Sequence, residues 1–133
     1  MADYPIFVYG TLMSRHFAHR LISLAVAGSA QGRLTGVRLH DLGSYPMAVE
    51  GAGEVQGEVH WLRPDLLAAT LERLDEYEGR EYRRLLLPID LGDRQVEAWA
   101  YLGSQSVAAR FPVIATGRWD DALAHLPVHR SIW

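Results

Sequence analysis

"EVQGEVHWLRPDLLAATLERLDEYEG", Glu54 to Gly79, carries two periodicities end to end. Its first nine residues alternate. Val55, Gly57, Val59 and Trp61 share one face and Gln56, Glu58 and His60 the other, as in a strand. Arg63 and Pro64 mark the change of period, because proline is accommodated in a first helical turn, where its missing N–H has no intrahelical partner. Leu67, Leu71 and Leu74 then form one stripe of a helix that Gly79 is placed to end in a left-handed cap.

Outward from this stretch, "IFVYGTLM", Ile6 to Met13, reads as a short strand broken at Gly10 and Thr11. Either a turn needs the glycine, or backbone N–H groups are bared there for a ligand. Arg15 to Ala27 reads as a helix, with Phe17, Leu21, Ile22, Leu24 and Ala25 near a common face and Gly28 ending it. Gly32 to Leu42 reads as a strand, and Tyr45 to Gly51 as a short extended piece after a turn at Gly43. On the C-terminal side, Tyr82 to Leu91 and Val96 to Leu102 read as strands joined by a Gly92–Asp93 turn, before a loop and short-helix tail from Val107. This order predicts an α+β fold: a small mixed, antiparallel-rich, barrel-like sheet with flanking helices, in one domain over residues 1–133. It lacks the βαβα alternation of a doubly wound fold.

Composition narrows the chemistry. The 133 residues are about half apolar and carry a net charge of −3, so no nucleic-acid surface is implied. All thirteen basic residues are arginine, and lysine, cysteine and asparagine are absent. That excludes a Schiff-base lysine, a P-loop lysine, thiolate catalysis, disulfides and zinc–thiolate sites. The apolar stretch around Leu21 to Ala27 is too short to span a bilayer, and Asp3, Tyr4 and Pro5 make a poor start for a signal peptide. A cytoplasmic location is the expectation.

The helix after Pro64 singles out one carboxylate. Four residues beyond Leu74 the apolar stripe reaches Glu78, whereas Glu72, Arg73 and Glu76 lie on the outer face and Asp75 is ambiguous. Burial and the negative end of the helix dipole both disfavour ionised Glu78 and raise its pKa toward the range for general acid–base work near neutrality. Pairing with Arg80, Arg83 or Arg84 would do the opposite and make it a structural ion pair. Periodicity leaves the two readings open.

Other signals are weaker. His16 and His19 have helical spacing without a marked third metal ligand, and His125 and His129 read as a solvated face. No G-x-S-x-G elbow is present, and Gly51, Gly53 and Gly57 do not fit G-x-G-x-x-G. Trp61, Trp99, Trp119 and Trp133 read as core or rim residues.

The order and spacing of "FVYGTL" (Phe7–Leu12), Tyr45–Pro46, "VQGEV" (Val55–Val59), "LDEYEG" (Leu74–Gly79), Tyr82–Arg83 and "AWAY" (Ala98–Tyr101) resemble the γ-glutamylcyclotransferase superfamily. The branch they are most similar to is that of the γ-glutamylamine cyclotransferases and AIG2-like proteins. The resemblance runs from Ile6 to about Tyr101 and implies a small barrel-like mixed fold. It implies that Tyr9, Gly10, Thr11 and Leu12 bind the glutamyl group, largely through backbone N–H groups, with Tyr45, Tyr82 and Tyr101 also binding substrate. It places the catalytic glutamate at Glu78.

The implied reaction is attack of a γ-glutamyl substrate's own α-amino group on its γ-carbonyl, releasing 5-oxoproline and a free amine. It uses no metal or organic cofactor, and its partner is a small molecule, not nucleic acid or a membrane. Two alternatives stand beside it: a non-catalytic module binding γ-glutamyl or other carboxylate ligands, and a hydrolase using Glu78 with Glu58 or Asp75.

Overall fold

β1 (Ile6–Val8) is buried on both faces, which is why it reads as an unbroken apolar run. The computed structural model describes residues 3–10, 12–13 and 17–119. In it β1 lies antiparallel to β3 (Pro46–Leu62), with Phe7 opposite Val59, and meets β5 (Gln95–Gly103) in parallel at Ile6–Trp99. β2 (Val26–Asp41) forms a long hairpin with β3, while β4 (Tyr82–Asp90) runs antiparallel along β5 and joins β2 at Arg33–Asp90. The sheet therefore closes in the order β1-β3-β2-β4-β5, the antiparallel-rich barrel of an α+β fold.

Two apolar layers follow from the strand period. Phe7, Leu34, Val55, Val59, Ile89, Ala98 and Ala100 pack together, with Val55, Val59, Ala98 and Ala100 on one set of alternating positions. Ile6, Val8, Leu62 and Tyr101 pack on the outside beneath Leu74 of α1 (Leu67–Glu78) and beneath Ile22 and Ala25. Gly57 lets β1 and β3 approach closely, since a Cβ there would strike the Val8 carbonyl oxygen and the Phe7 ring.

The helix expected over Arg15–Ala27 is not formed. Of that stretch the described part makes two 3-10 turns, Phe17–Leu21 and Ser23–Ala25, and β2 starts at Val26. Leu24, assigned to the buried face, is 88% exposed. From Val26 the backbone pairs with β3, so Gly28 lies inside β2, just past a bulge, and ends nothing. Tyr45–Gly51 and Glu54–Leu62, read as separate pieces, belong to one strand, β3, which passes without a break through Gly51 and Gly53. Opposite them β2 carries a second bulge between Thr35 and Val37, where Gly36 takes φ 79°. α1 ends at Gly79 as expected, with φ 75° and the Gly79 N–H donated to the Asp75 carbonyl at 3.2 Å, but ψ −164° makes the end extended in place of the left-handed helical cap. His16, His125, His129 and Trp133 lie outside the described residues.

Candidate active site

The C-terminal turn of α1 faces a cavity of about 610 Å³ bordered by the end of β1, the start of β3 and the start of β4. Glu78 enters it from α1, Tyr9 and Gly10 from the end of β1, Tyr45 and Pro46 from the start of β3, Tyr82 from β4 and Tyr101 from β5. Leu12 also lines it. The structure thus gathers Tyr9, Gly10, Leu12, Tyr45, Glu78, Tyr82 and Tyr101 around one space. Thr11 lies outside the described residues.

Glu78 is half-buried, and burial pushes its carboxyl up from 4.5 to about 7. None of the arginines that would make it a structural ion pair does so. Arg84 instead holds Asp75, with Nε 2.9 Å from Oδ1 and a second nitrogen 3.2 Å from Oδ2. Among the described residues neither Arg80 nor Arg83 forms an ion pair.

Asp75 is spoken for twice, because the Tyr101 hydroxyl also donates to its Oδ1 at 2.6 Å. Partial burial alone would raise the Asp75 pKa, but these hydrogen bonds and the Arg84 charge outweigh it and hold the group below its ordinary value. Asp75 therefore clamps the last turn of α1 to β4 and β5, one helical step before Glu78.

The tyrosines contribute rings more than donors. Tyr9 donates to the Tyr101 carbonyl at 2.6 Å and accepts from the Ala48 N–H at 3.2 Å. Tyr82 donates to the Pro46 carbonyl at 2.7 Å, and Tyr45 to a Glu81 carboxylate oxygen at 3.2 Å. Burial raises the pKa of Tyr9, Tyr82 and Tyr101, and the Glu78 charge pushes each the same way. All three phenols therefore stay neutral donors with their protons already committed.

Gly10 is not in a left-handed conformation. The requirement is space: a Cβ there would stand 2.6 and 2.8 Å from two ring carbons of Pro46. The Met13 N–H donates to the Gly10 carbonyl at 3.0 Å, closing a turn over the loop.

Sequence reasoning missed Ser44, Arg80 and Glu81 among the lining residues. Arg80 and Glu81 follow the Glu78–Gly79 cap directly, and that adjacency was their available signal. Neither Glu58 nor Asp75 lines the cavity, so the carboxylate pairs considered for a hydrolase do not assemble there. Among the described residues no group of three or more His, Asp or Glu side chains is arranged to hold a metal ion. His19 Nδ1 is 2.9 Å from the Leu12 carbonyl oxygen. No helix among the described residues is long and apolar enough to cross a membrane.

The sequence model described as "Gamma-glutamyl cyclotransferase, AIG2-like" matches residues 6–121. The chain belongs to this family. A γ-glutamylcyclotransferase family protein of Citrobacter rodentium is 34% identical over 119 residues, spanning 87% of this chain and 95% of that one. The solution structure of the Escherichia coli protein ytfP superposes with a TM-score of 0.60 at 31% identity, over 86% of this chain and 95% of that one. The crystal structure of a mouse AIG2-like protein shares the fold, with a TM-score of 0.68 at 22% identity over 83% and 84% of the two chains. Membership of the γ-glutamylcyclotransferase family supports a cyclotransferase-like role and a small-molecule γ-glutamyl substrate. The matched span contains every residue that lines the cavity.

Proposed function

We propose that the protein, as a single domain, cyclises a γ-glutamyl amine or γ-glutamyl peptide to 5-oxoproline and a free amine, with Glu78 as the general acid–base. The observation that carries this reading is a half-buried carboxyl, ion-paired to no arginine among the described residues, tuned to about 7 inside a cavity large enough for a small molecule.

The chemistry asks for such a group. An α-amino group has a pKa near 8, so at neutrality it is mostly protonated and must lose a proton to attack. Ionised Glu78 takes that proton as nitrogen closes on the γ-carbonyl carbon and the five-membered ring forms. Protonated Glu78 then returns it to the departing amine as the γ-amide bond breaks. The base is restored and no co-reactant is consumed.

The rest of the cavity orients. The tyrosine hydroxyls are committed to the protein, so donors for the substrate's α-carboxylate fall to the backbone after Tyr9 and to Arg80. Gly10 and Leu12 line the cavity where N–H groups of that loop would hold the anion. Holding amine and carbonyl together supplies the orientation that an intramolecular reaction needs.

The test is a panel of γ-glutamyl amines and peptides incubated with the purified protein and read by mass for 5-oxoproline. In ¹⁸O-water the product should carry no label, because water is not a reactant. Release of labelled glutamate would mean hydrolysis, and tight binding without turnover would mean a binding module.

A further inference from the structure

The β2–β3 hairpin carries a second polar constellation, none of whose members lines the cavity of Glu78. Ser29 stands opposite His60 and Gln31 opposite Glu58 in alternate cross-strand pairs, with Ala30–Val59 between, so the four side chains share one face of the sheet. Ser29 Oγ is 2.6 Å from His60 Nδ1, and His60 Nε2 is 3.1 Å from Glu58 Oε1. A carboxylate can only accept, so Nε2–H donates to Glu58 and the Nδ1 lone pair receives the Ser29 hydroxyl proton. That is the polarity of a nucleophile, its base and the acid that orients the base.

The surroundings suit that use. Ser29 is exposed, while His60 is 1% exposed and Glu58 is buried with it. Burial lowers the His60 pKa, the Glu58 charge pulls it upward, and His19, its ring centroid 5.2 Å away, pushes it down again; the net is a neutral, proton-accepting ring. Gln31, two residues from Ser29 on the same face, has a carboxamide without a hydrogen-bond partner among the described residues. With Glu58, Gln56 and Trp119 it borders a small cavity of about 80 Å³. On the side away from β3, β2 meets β4 at the single ladder position Arg33–Asp90, so among the described residues Val26–Gly32 presents an open strand edge beside Ser29.

We propose that Ser29 is an activated nucleophile that takes an acyl group from an activated ester, with His60 as its base, Glu58 as the residue positioning His60, and the Gln31 carboxamide as donor to the developing oxyanion. The Ser29 Oγ–carbonyl carbon bond forms as the Oγ proton passes to His60 Nδ1. The ester C–O bond then breaks, and the leaving oxygen takes the proton from His60. Water, deprotonated by His60, later cleaves the Ser29 ester and releases the carboxylic acid.

The test uses the whole protein with a fluorophosphonate probe, which loses fluoride as Oγ bonds to phosphorus, and with p-nitrophenyl acetate. Labelling should map by peptide mass to Ser29 at a rate about a hundredfold above that of an ordinary exposed serine. It should vanish in Ser29→Ala and fall about tenfold in Gln31→Ala, an exposed change that leaves the core untouched. Its acid limb should lie below the ordinary histidine value of 6.5, and hydrolysis of p-nitrophenyl acetate should be lost in Ser29→Ala. Folded wild type that stays unlabelled, or Ser29→Ala that labels as fast, overturns the assignment.

Discussion

Ionising a carboxyl among tyrosine rings without an ion-pair partner is unfavourable, and among the described residues Glu78 stands in that position. Its folded pKa of about 7 exceeds its ordinary 4.5, so folding favours the protonated form. This stabilisation is complete below about pH 4.5 and is lost as pH rises through about 7, a difference of about 3 kcal/mol at full ionisation. Glu78→Gln, neutral at every pH, should therefore match wild type in melting temperature at pH 4.5 and exceed it at pH 8. Equal melting curves at pH 8 would mean that Glu78 is not raised. The same group sets the rate profile: kcat/KM should fall on the acid side with a limb near pH 7, because the base is lost as Glu78 protonates. A limb near 4.5 would remove Glu78 from that role.

Gly10 poses a separate question at the same scale, because its Cβ space is taken by Pro46. Gly10→Ala should cost about 1–3 kcal/mol by overpacking. Adding Pro46→Ala should return most of that in a denaturant melt by removing the ring carbons that clash. If the double variant folds and still binds γ-glutamyl substrate as wild type does, Gly10 serves packing alone. If it folds and binds weakly, the loop contacts the ligand.

Among elements, α1 is the one whose geometry was legible before the structure. Its leucine stripe, its cap at Gly79 and the inward direction of Glu78 all follow from a 3.6-residue period that tertiary contacts left intact. The clamp at Asp75 was not legible, because its partners Arg84 and Tyr101 lie on different strands. Removing it should loosen the last turn of α1. Asp75→Asn is expected to cost about 1 kcal/mol, the ion pair being largely exposed and the Tyr101 hydrogen bond the stronger part. It should lower kcat more than it raises KM, since Glu78 would lose its placement while the cavity stays open; the two constants measured side by side check this.

The Arg15–Ala27 segment failed for the converse reason. Its apolar spacing fits a helix, yet pairing with β3 from Val26 draws the chain into a strand and leaves Leu24 in water. No local period reports a partner strand some thirty residues away. His60 and Glu58 show the same limit, since alternation identifies a polar face but not the layer that covers it.

At the scale of the whole molecule, the closed barrel converts five sequence segments into one site. The end of β1, the starts of β3 and β4, the end of β5 and the end of α1 converge because the ring order places β3 and β5 on either side of β1. The short motifs that carry the family resemblance are those segments, which is why the architecture could be named from the sequence while Ser44 and Arg80 could not. The cavity belongs to the assembled fold, with apolar layers inside and outside the barrel fixing its walls.

The central claim is that this cavity closes a ring on a γ-glutamyl group through Glu78. The direct measurement is 5-oxoproline formation from a panel of γ-glutamyl substrates by wild type and Glu78→Gln, each shown folded by its melting curve. The account predicts 5-oxoproline from wild type and a loss of at least about a thousandfold in kcat for Glu78→Gln, with substrate affinity largely kept. Unimpaired ring closure by folded Glu78→Gln would contradict it.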